Sequence, residues 1–286
     1  MSGATLADPT SRATTTATSG ASLHILRRRG RSVVTRALAH SPLRLLTPGN
    51  HGEAAWVFLS TYGGGFVGGD TVDVQVQVGA GATALVQTQA STKVYRSPKG
   101  ARSSLSARLE PSARLLMLPD PTVCFAGASF EQTQTFDVSD DATLVVLDWV
   151  TAGRRAAGER WAFDRYVSRM TVHRGATLLL ADAIELDRRD GPLPERMTRF
   201  ECLCSIVLVG PDVQDAVTSA LERVAALDLL VRGDLLASAA PLGCAPRDGC
   251  VVRLAGVSVE EVARVARGYL DFVPGLLGDD PWARKW

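Results

Sequence analysis

The chain has 286 residues, 31 Lys and Arg against 30 Asp and Glu, and 46% hydrophobic residues. Balanced charge excludes a protein drawn to nucleic acid or a membrane surface by net charge, and the length is ample for a large core. Cys124, Cys202, Cys204, Cys244 and Cys250 form no CxxC pair, so no disulfide framework is expected and a reducing cytoplasm fits. No apolar run approaches the roughly 20 residues that span a bilayer, and the N-terminus lacks the basic-then-apolar layout of a secretory signal.

Residues 1–21 are rich in Ser, Thr, Ala and Gly and are expected to be a disordered tail. A single domain is expected over 22–286, β-rich over 22–210 and mixed α and β over 211–286. LHILRRRGRSVVTRALA reads as a hairpin with Gly30 in its turn, and AWVFLSTY (55–62) as a buried strand. Gly63, Gly64, Gly65, Gly68 and Gly69 then make a turn that ends in Asp70. A clean period-2 strand follows, with Val72, Val74, Val76 and Val78 on one face.

Four segments share the form strand, small turn, Ala, apolar strand: VQVGAGATALV (76–86), ARLEPSARLLML (107–118), TFDVSDDATLVVLD (135–148) and TVHRGATLLLAD (171–182). Their alanines are Ala82, Ala113, Ala142 and Ala176. Recurrence at about 30 residues fits stacked β layers, and it equally fits the hairpins of a β-sandwich. CLCSIVLVG (202–210) is one more strand. The period then changes to 3.6 over roughly 212–227, an amphipathic helix. CVVRLAG (250–256) is a strand, and a second helix starts at Ser258, where Ser258 and Glu261 match a capping box. The final DDPWARKW reads as a loose tail or, with its two tryptophans, a docking element.

Catalytic signals are weak. Gly63-x-Gly65-x-x-Gly68 has dinucleotide-binding spacing, but it leads into a strand, so no helix N-terminus faces a phosphate. His24, His40, His51 and His173 form no metal-ligand pattern. Cys202 and Cys204 share one strand face and read best as two small buried side chains. No GxSxG is present. Asp148 in LVVLDWV and Asp182 in TLLLADAI stand inside apolar strands, where a carboxylate is costly unless it is paired or ligates a cation. Pairing with an arginine such as Arg96, Arg154 or Arg155 is the plainer reading. The sharper one is an internal polar passage.

Several stretches together resemble the urease accessory protein UreD (UreH) family. GGGFVGGD (63–70) and VQVGAGATALVQTQASTKVYRS (76–97) resemble its signature region, with Gly68, Gly69, Lys93, Tyr95 and Arg96 at motif positions. PDPTVCFAGASF (119–130) looks like its segment ending in F-x-G-A. LDWVTAGRRAAGERW (147–161), with Gly153, Arg154, Gly158 and Glu159, looks like its W-x-GR-x-x-x-GE stretch. HSPLRLLTPGN (40–50) looks like its G-P-L-x-V segment. The likeness covers roughly 23–190, and the C-terminal third matches in layout only. Arg155 stands where Pro is usual, and Ser91 and Val94 also depart from the pattern.

The resemblance implies a mainly β fold with stacked β-helical, solenoid-like sheets and two α-helices in the C-terminal third. It implies no enzyme. It implies a urease maturation scaffold that binds apo-urease and UreF, with the GTPase UreG recruited through UreF, and no nucleic acid or membrane partner. No cofactor is bound stably; nickel passes in transit. Asp70, Asp148 and Asp182 are then candidate nickel-route carboxylates. The alternatives are a β-solenoid carbohydrate-active hydrolase using paired carboxylates, which the scattered 6% of aromatic residues disfavours, and a non-catalytic structural β-repeat module.

Overall fold

Two patterns of burial divide the strands of the computed structural model, which describes residues 19–227, 233–243 and 248–283. Thr71–Val78 buries every second residue, with Val72, Val74, Val76 and Val78 at most 3% exposed and Gln75 and Gln77 exposed. Thr143–Thr151, in contrast, buries five successive residues from its start. The first pattern belongs to a sheet with one covered face, the second to a sheet covered on both.

The chain opens with the hairpin β1 (Ser19–Arg28) and β2 (Arg31–Ala39), then β3 (Leu43–Leu46) and β4 (Ala55–Thr61). Next come β5 (Thr71–Val78), β6 (Thr83–Thr88), β7 (Thr92–Val94), β8 (Ala101–Leu109), β9 (Arg114–Met117) and β10 (Thr122–Cys124). Then follow β11 (Ser129–Val138), β12 (Thr143–Thr151), β13 (Arg165–Arg174) and β14 (Thr177–Asp187). The remainder is α1 (Leu193–Arg196), β15 (Cys202–Val209), α2 (Gln214–Ala225), β16 (Leu235–Pro241), β17 (Cys250–Gly256), α3 (Val259–Tyr269) and α4 (Val273–Leu277). One sheet has the order β14-β13-β11-β8-β5-β1-β2; the other runs β16-β17-β15-β12-β9-β6-β4-β3, with β7 and β10 beside β12.

Successive segments alternate between the sheets. β5, β8, β11 and β13 pair in parallel in the first, and β4, β6, β9 and β12 pair in parallel in the second. Ala82, Ala113 and Ala142 sit at the crossings, each fully buried, where close packing favours a small side chain. The fourth repeat departs from the other three. Gly175, at φ +56°, closes a two-residue hairpin between Arg174 and Thr177, so β14 stays antiparallel to β13 in the same sheet and Ala176 is exposed. The architecture is mainly β, two open sheets packed face to face, each bordered by antiparallel strands.

The layer between the sheets is one apolar core. A second core lies on the far face of the second sheet, where Leu85, Leu116, Ile206 and Val252 meet Val217 and Ala220 of α2 and Val262, Ala266 and Tyr269 of α3. Both expected helices are present. Among the described residues there are also two short ones, α1 and α4, of four and five residues, too brief to leave a 3.6-residue pattern. Half of the expected capping box forms: Ser258 Oγ accepts the Glu261 N–H at 3.2 Å, while the Glu261 carboxylate turns to Arg264 instead of reaching back. At the N-terminus the strand starts earlier than expected. Ser19–Ala21 belong to β1, and residues 1–18 lie outside the described residues. At the other end Asp279 accepts the His51 N–H at 2.8 Å and Trp282 packs on the second core, so 279–283 are fastened, not loose. Cys244 and 284–286, including Trp286, lie outside the described residues.

Gln87 shares the helix-facing side of β6 with Leu85, is 1% exposed, and has no hydrogen-bond partner on either amide atom. An unpaired buried amide costs on the order of 1–3 kcal/mol. Gln87→Met is therefore expected to raise the thermal midpoint by a few degrees. A midpoint equal to or below wild type in a melting experiment contradicts this.

Candidate functional site

The glycine corner is built to lie on another segment of chain. Phe66 donates its N–H to the Lys93 carbonyl at 2.8 Å and Tyr95 donates to the Phe66 carbonyl at 2.9 Å, so 62–70 is pinned along 93–97. A Cβ on Gly68 would stand 1.5 Å from Ser97 Oγ, and Gly69 adopts φ +88°. Asp70 accepts the Val67 N–H at 2.8 Å, closing its own turn. Tyr95 meets Phe125 edge-on at 4.9 Å, and Arg96 lies against Gly127.

The second motif is a clamp. Arg154 makes a two-pronged ion pair with Glu159 and stacks over Phe125 at 4.1 Å. Glu159 also accepts the Ala126 N–H at 3.1 Å, and the Arg154 guanidinium holds its carboxyl below the ordinary value. A Cβ on Gly153 (φ +107°) would stand 3.0 Å from the Cys124 carbonyl oxygen, and Gly158 (φ +75°) ends the turn that follows. Arg155 pairs with Glu201 at 2.9 Å, and Trp161 Nε1 donates to the Phe200 carbonyl at 2.8 Å. Together these fasten the end of β12 to the 124–127 loop and to residues 200–201, which lead into β15. Their work is structural.

The carboxylate chemistry lies in the inter-sheet layer. Asp148 on β12 points inward with Leu144, Val146 and Val150. Gln132 Nε2 of β11 donates to its Oδ1 at 2.8 Å, and Ser168 Oγ of β13 donates to its Oδ2 at 2.7 Å. Gln132 Nε2 also lies 2.8 Å from Ser168 Oγ and 3.3 Å from Tyr166 Oη. Burial pushes the Asp148 carboxyl above its ordinary value; the Ser168 and Gln132 hydrogen bonds oppose this, and the charge of Asp182 adds to it. Tyr166 is likewise pushed well up by burial and by Asp148.

Cavities flank this cluster. One, of about 320 Å³, is lined by Asp148 and Gln132 at its base and by Phe66, Thr88, Lys93 and Asp120 among others. The other, of about 380 Å³, is lined by Ile184, Leu203, Ser205, Leu236 and Arg253. Asp148 is the strand neighbour of Ser205, and Ser205 of Arg253, so all three share one face of the second sheet. Arg253 crosses to the first sheet, where it pairs with Asp182 at 2.8 Å. A polar seam thus runs through the apolar layer from one cavity to the other.

Of the three candidate carboxylates, Asp148 and Asp182 belong to this seam, and Asp70 is committed to its own turn and lines neither cavity. The expected arginine pairing holds for Asp182, with Arg253 as the partner in place of Arg96, Arg154 or Arg155. Asp148 has no ion-pair partner among the described residues. Cys202 and Cys204 are both buried in the second core, with the Cys202 thiol pushed up to about 12 by burial. Among the described residues no three His, Cys, Asp or Glu side chains gather as a metal site. Gln132, Ser168, Ser205 and Arg253 were not singled out from sequence. Their signal is phase: each is polar where its strand alternation places an inward residue, as Gln132 stands between Phe130 and Phe136.

Fold and site together define a mainly β protein of two packed sheets with a polar seam between them. Comparison with known proteins gives the family: the model described as UreD urease accessory protein matches residues 17–286. The match reaches through the C-terminal third, beyond the 23–190 legible from motifs. The chain is 51% identical over 257 residues to the urease accessory protein UreD of Sorangium cellulosum, covering 90% of this chain and 81% of that one. It is 44% identical to that of Anaeromyxobacter (89% and 85% covered) and 33% identical to urease accessory protein D of Oryza sativa subsp. indica (89% and 92% covered). The chain belongs to the UreD family of urease accessory proteins, a non-catalytic class with a role in urease maturation. The hydrolase alternative is thereby overturned.

Two outcomes test this geometry. Gly68→Ala is expected to cost about 1–3 kcal/mol by overpacking, part of it returned by Ser97→Gly; strictly additive losses in the double variant would show that the two residues do not press on each other. Asp148 destabilises the fold when ionised, because burial raises its folded-state value. The penalty is present at pH above that value and vanishes as pH falls through it. Asp148→Asn is expected to melt above wild type at alkaline pH, with the gap narrowing as pH falls into the ordinary carboxylate range. A pH-independent gap contradicts the assignment.

Proposed function

We propose that this chain is a maturation scaffold in the cytoplasm that binds apo-urease and UreF, recruits the GTPase UreG through UreF, and gives nickel a route toward the urease site. The observation that carries the route is the polar seam joining two cavities, with Asp148 uncompensated at its centre. Asp148 and Asp182 are its carboxylates. Asp70 holds the glycine corner at one side and enters the proposal only through that support.

The chemistry of the seam suits transit. Ni²⁺ is held firmly by imidazole and thiolate and more loosely by carboxylate and water. Hydroxyl, amide and carboxylate oxygens in succession give weak sites, and a buried negative charge draws a divalent cation without a closed ligand set. The alternation β5–β6, β8–β9, β11–β12, parallel in both sheets, reads as stacked β-helical layers. On that reading the seam is a gap left between layers, and the two sheets' outer elements are free to dock partners.

Asp148→Ala and Asp182→Ala, co-expressed with urease subunits and the other accessory proteins, are expected to lower urease nickel content and activity at least about tenfold, the effect of removing about 1.4 kcal/mol of cation stabilisation. Their recovery in the accessory complex is expected to be normal. Full activation by the double variant in an intact complex would end the nickel-route reading. Unchanged urease activation without this chain would end the scaffold reading as well.

A further inference from the structure

We infer, building on the nickel-route reading, that Gln132 is the positioning residue that keeps the Asp148 site weak. Both oxygens of Asp148 are already occupied, Oδ1 by Gln132 Nε2 at 2.8 Å and Oδ2 by Ser168 Oγ at 2.7 Å. The three side chains interlock. Ser168 spends its single proton on Asp148, so its oxygen accepts from Gln132 Nε2 at 2.8 Å. The carboxylate and hydroxyl together require the amide nitrogen, not its oxygen, on this side. Each hydrogen bond takes up one lone-pair direction and part of the charge of its oxygen, so a cation at Asp148 competes with two donors for the same carboxylate.

The identity of residue 132 is what decides the strength. A glutamate has the same length and would place a second carboxylate oxygen where Nε2 now lies, 2.8 Å from Asp148 Oδ1. Two carboxylates at that separation cannot both stay ionised without a cation between them. Such a pair would trap a divalent ion that the amide lets pass. Ser168 acts in the same sense on the other oxygen, and both Gln132 and Asp148 line the first cavity, so the exchange lies beside open space.

The test uses the full chain and nickel chloride. Equilibrium dialysis gives affinity, release to a chelator gives the off-rate, and Co²⁺ absorption reports the ligand set. Gln132→Glu is expected to bind Ni²⁺ at least about tenfold more tightly and to release it correspondingly slowly. The gain should vanish in the Gln132→Glu/Asp148→Asn double variant, and urease activation by the single variant should slow. Gln132→Met, which removes the donor without adding charge, is expected to tighten binding by a smaller factor and carries the test if the glutamate variant does not fold. A merely structural Gln132 would lower the melting midpoint of its variants and leave the nickel titration unchanged, which overturns the inference. If Asp148→Asn itself leaves nickel delivery intact, the route reading fails. If Asp148→Asn abolishes delivery while Gln132→Glu binds as wild type, only the role of Gln132 fails.

Discussion

A strand covered on both faces must be apolar on both, and this constraint orders the molecule. The second sheet lies between the first sheet and the helices, so β6, β12 and β15 bury nearly every residue. The first sheet is covered on one face, so β5 and β8 alternate. The chain satisfies both by crossing between the sheets at β5–β6, β8–β9 and β11–β12, with the fully buried Ala82, Ala113 and Ala142 at the crossings. Each buried aliphatic side chain in these strands adds on the order of 1.5–3 kcal/mol. The helices α2 and α3 follow from the same constraint, since the far face of the second sheet needs a lid; Arg223 stacked over Tyr269 at 4.2 Å ties the two helices together.

Within that frame polar residues separate into two kinds. The Arg154–Glu159 clamp and the Asp70 turn satisfy themselves near the surface. Each charge there meets its partner or a backbone N–H, and solvent screens what is left. The seam of Gln132, Asp148, Ser168, Ser205, Arg253 and Asp182 runs from the apolar layer, where the Asp148 charge has no such relief, to a partly exposed end at Arg253 and Asp182. Its hydrogen bonds are short and numerous, and the only ion pair joins its far end. Close packing of the rest of the layer leaves space beside the seam, at its two cavities.

Sequence reveals the first kind more readily than the second. Glycines at positive φ or in close contact, such as Gly69 and Gly153, stand out because few residues replace them, and they made the family legible. The valine alternation of β5, the 3.6-residue period of α2 and the Ser258 cap were equally plain, because each is a local pattern. The crossing of three repeats between sheets and the turning back of the fourth were not: the four segments look alike, and the difference lies in whether a two-residue turn at Gly175 closes on itself. Asp148 and Asp182 were visible as charges in apolar strands. Their partners were hidden, because Gln132 comes from another sheet and Arg253 is 71 residues from Asp182.

The asymmetry between the two carboxylates points to where function resides. Asp182 has Arg253, and such a pair costs little beyond its own desolvation. Asp148 has neutral donors only, and burial works against its ionised form. An aliphatic residue at 148 would extend the run Leu144–Leu147 but would leave the Gln132 and Ser168 donors without their acceptor, so the carboxylate and its polar partners form one unit that apolar packing alone does not call for. Positions that break a local rule at a cost in stability are where a protein's activity is concentrated. On the nickel-route proposal, the uncompensated carboxylate beside the first cavity is a charge retained for the cation in transit. On the same proposal the neutral donors around it belong to the device as much as the charge does, because they compete with the cation for the carboxylate.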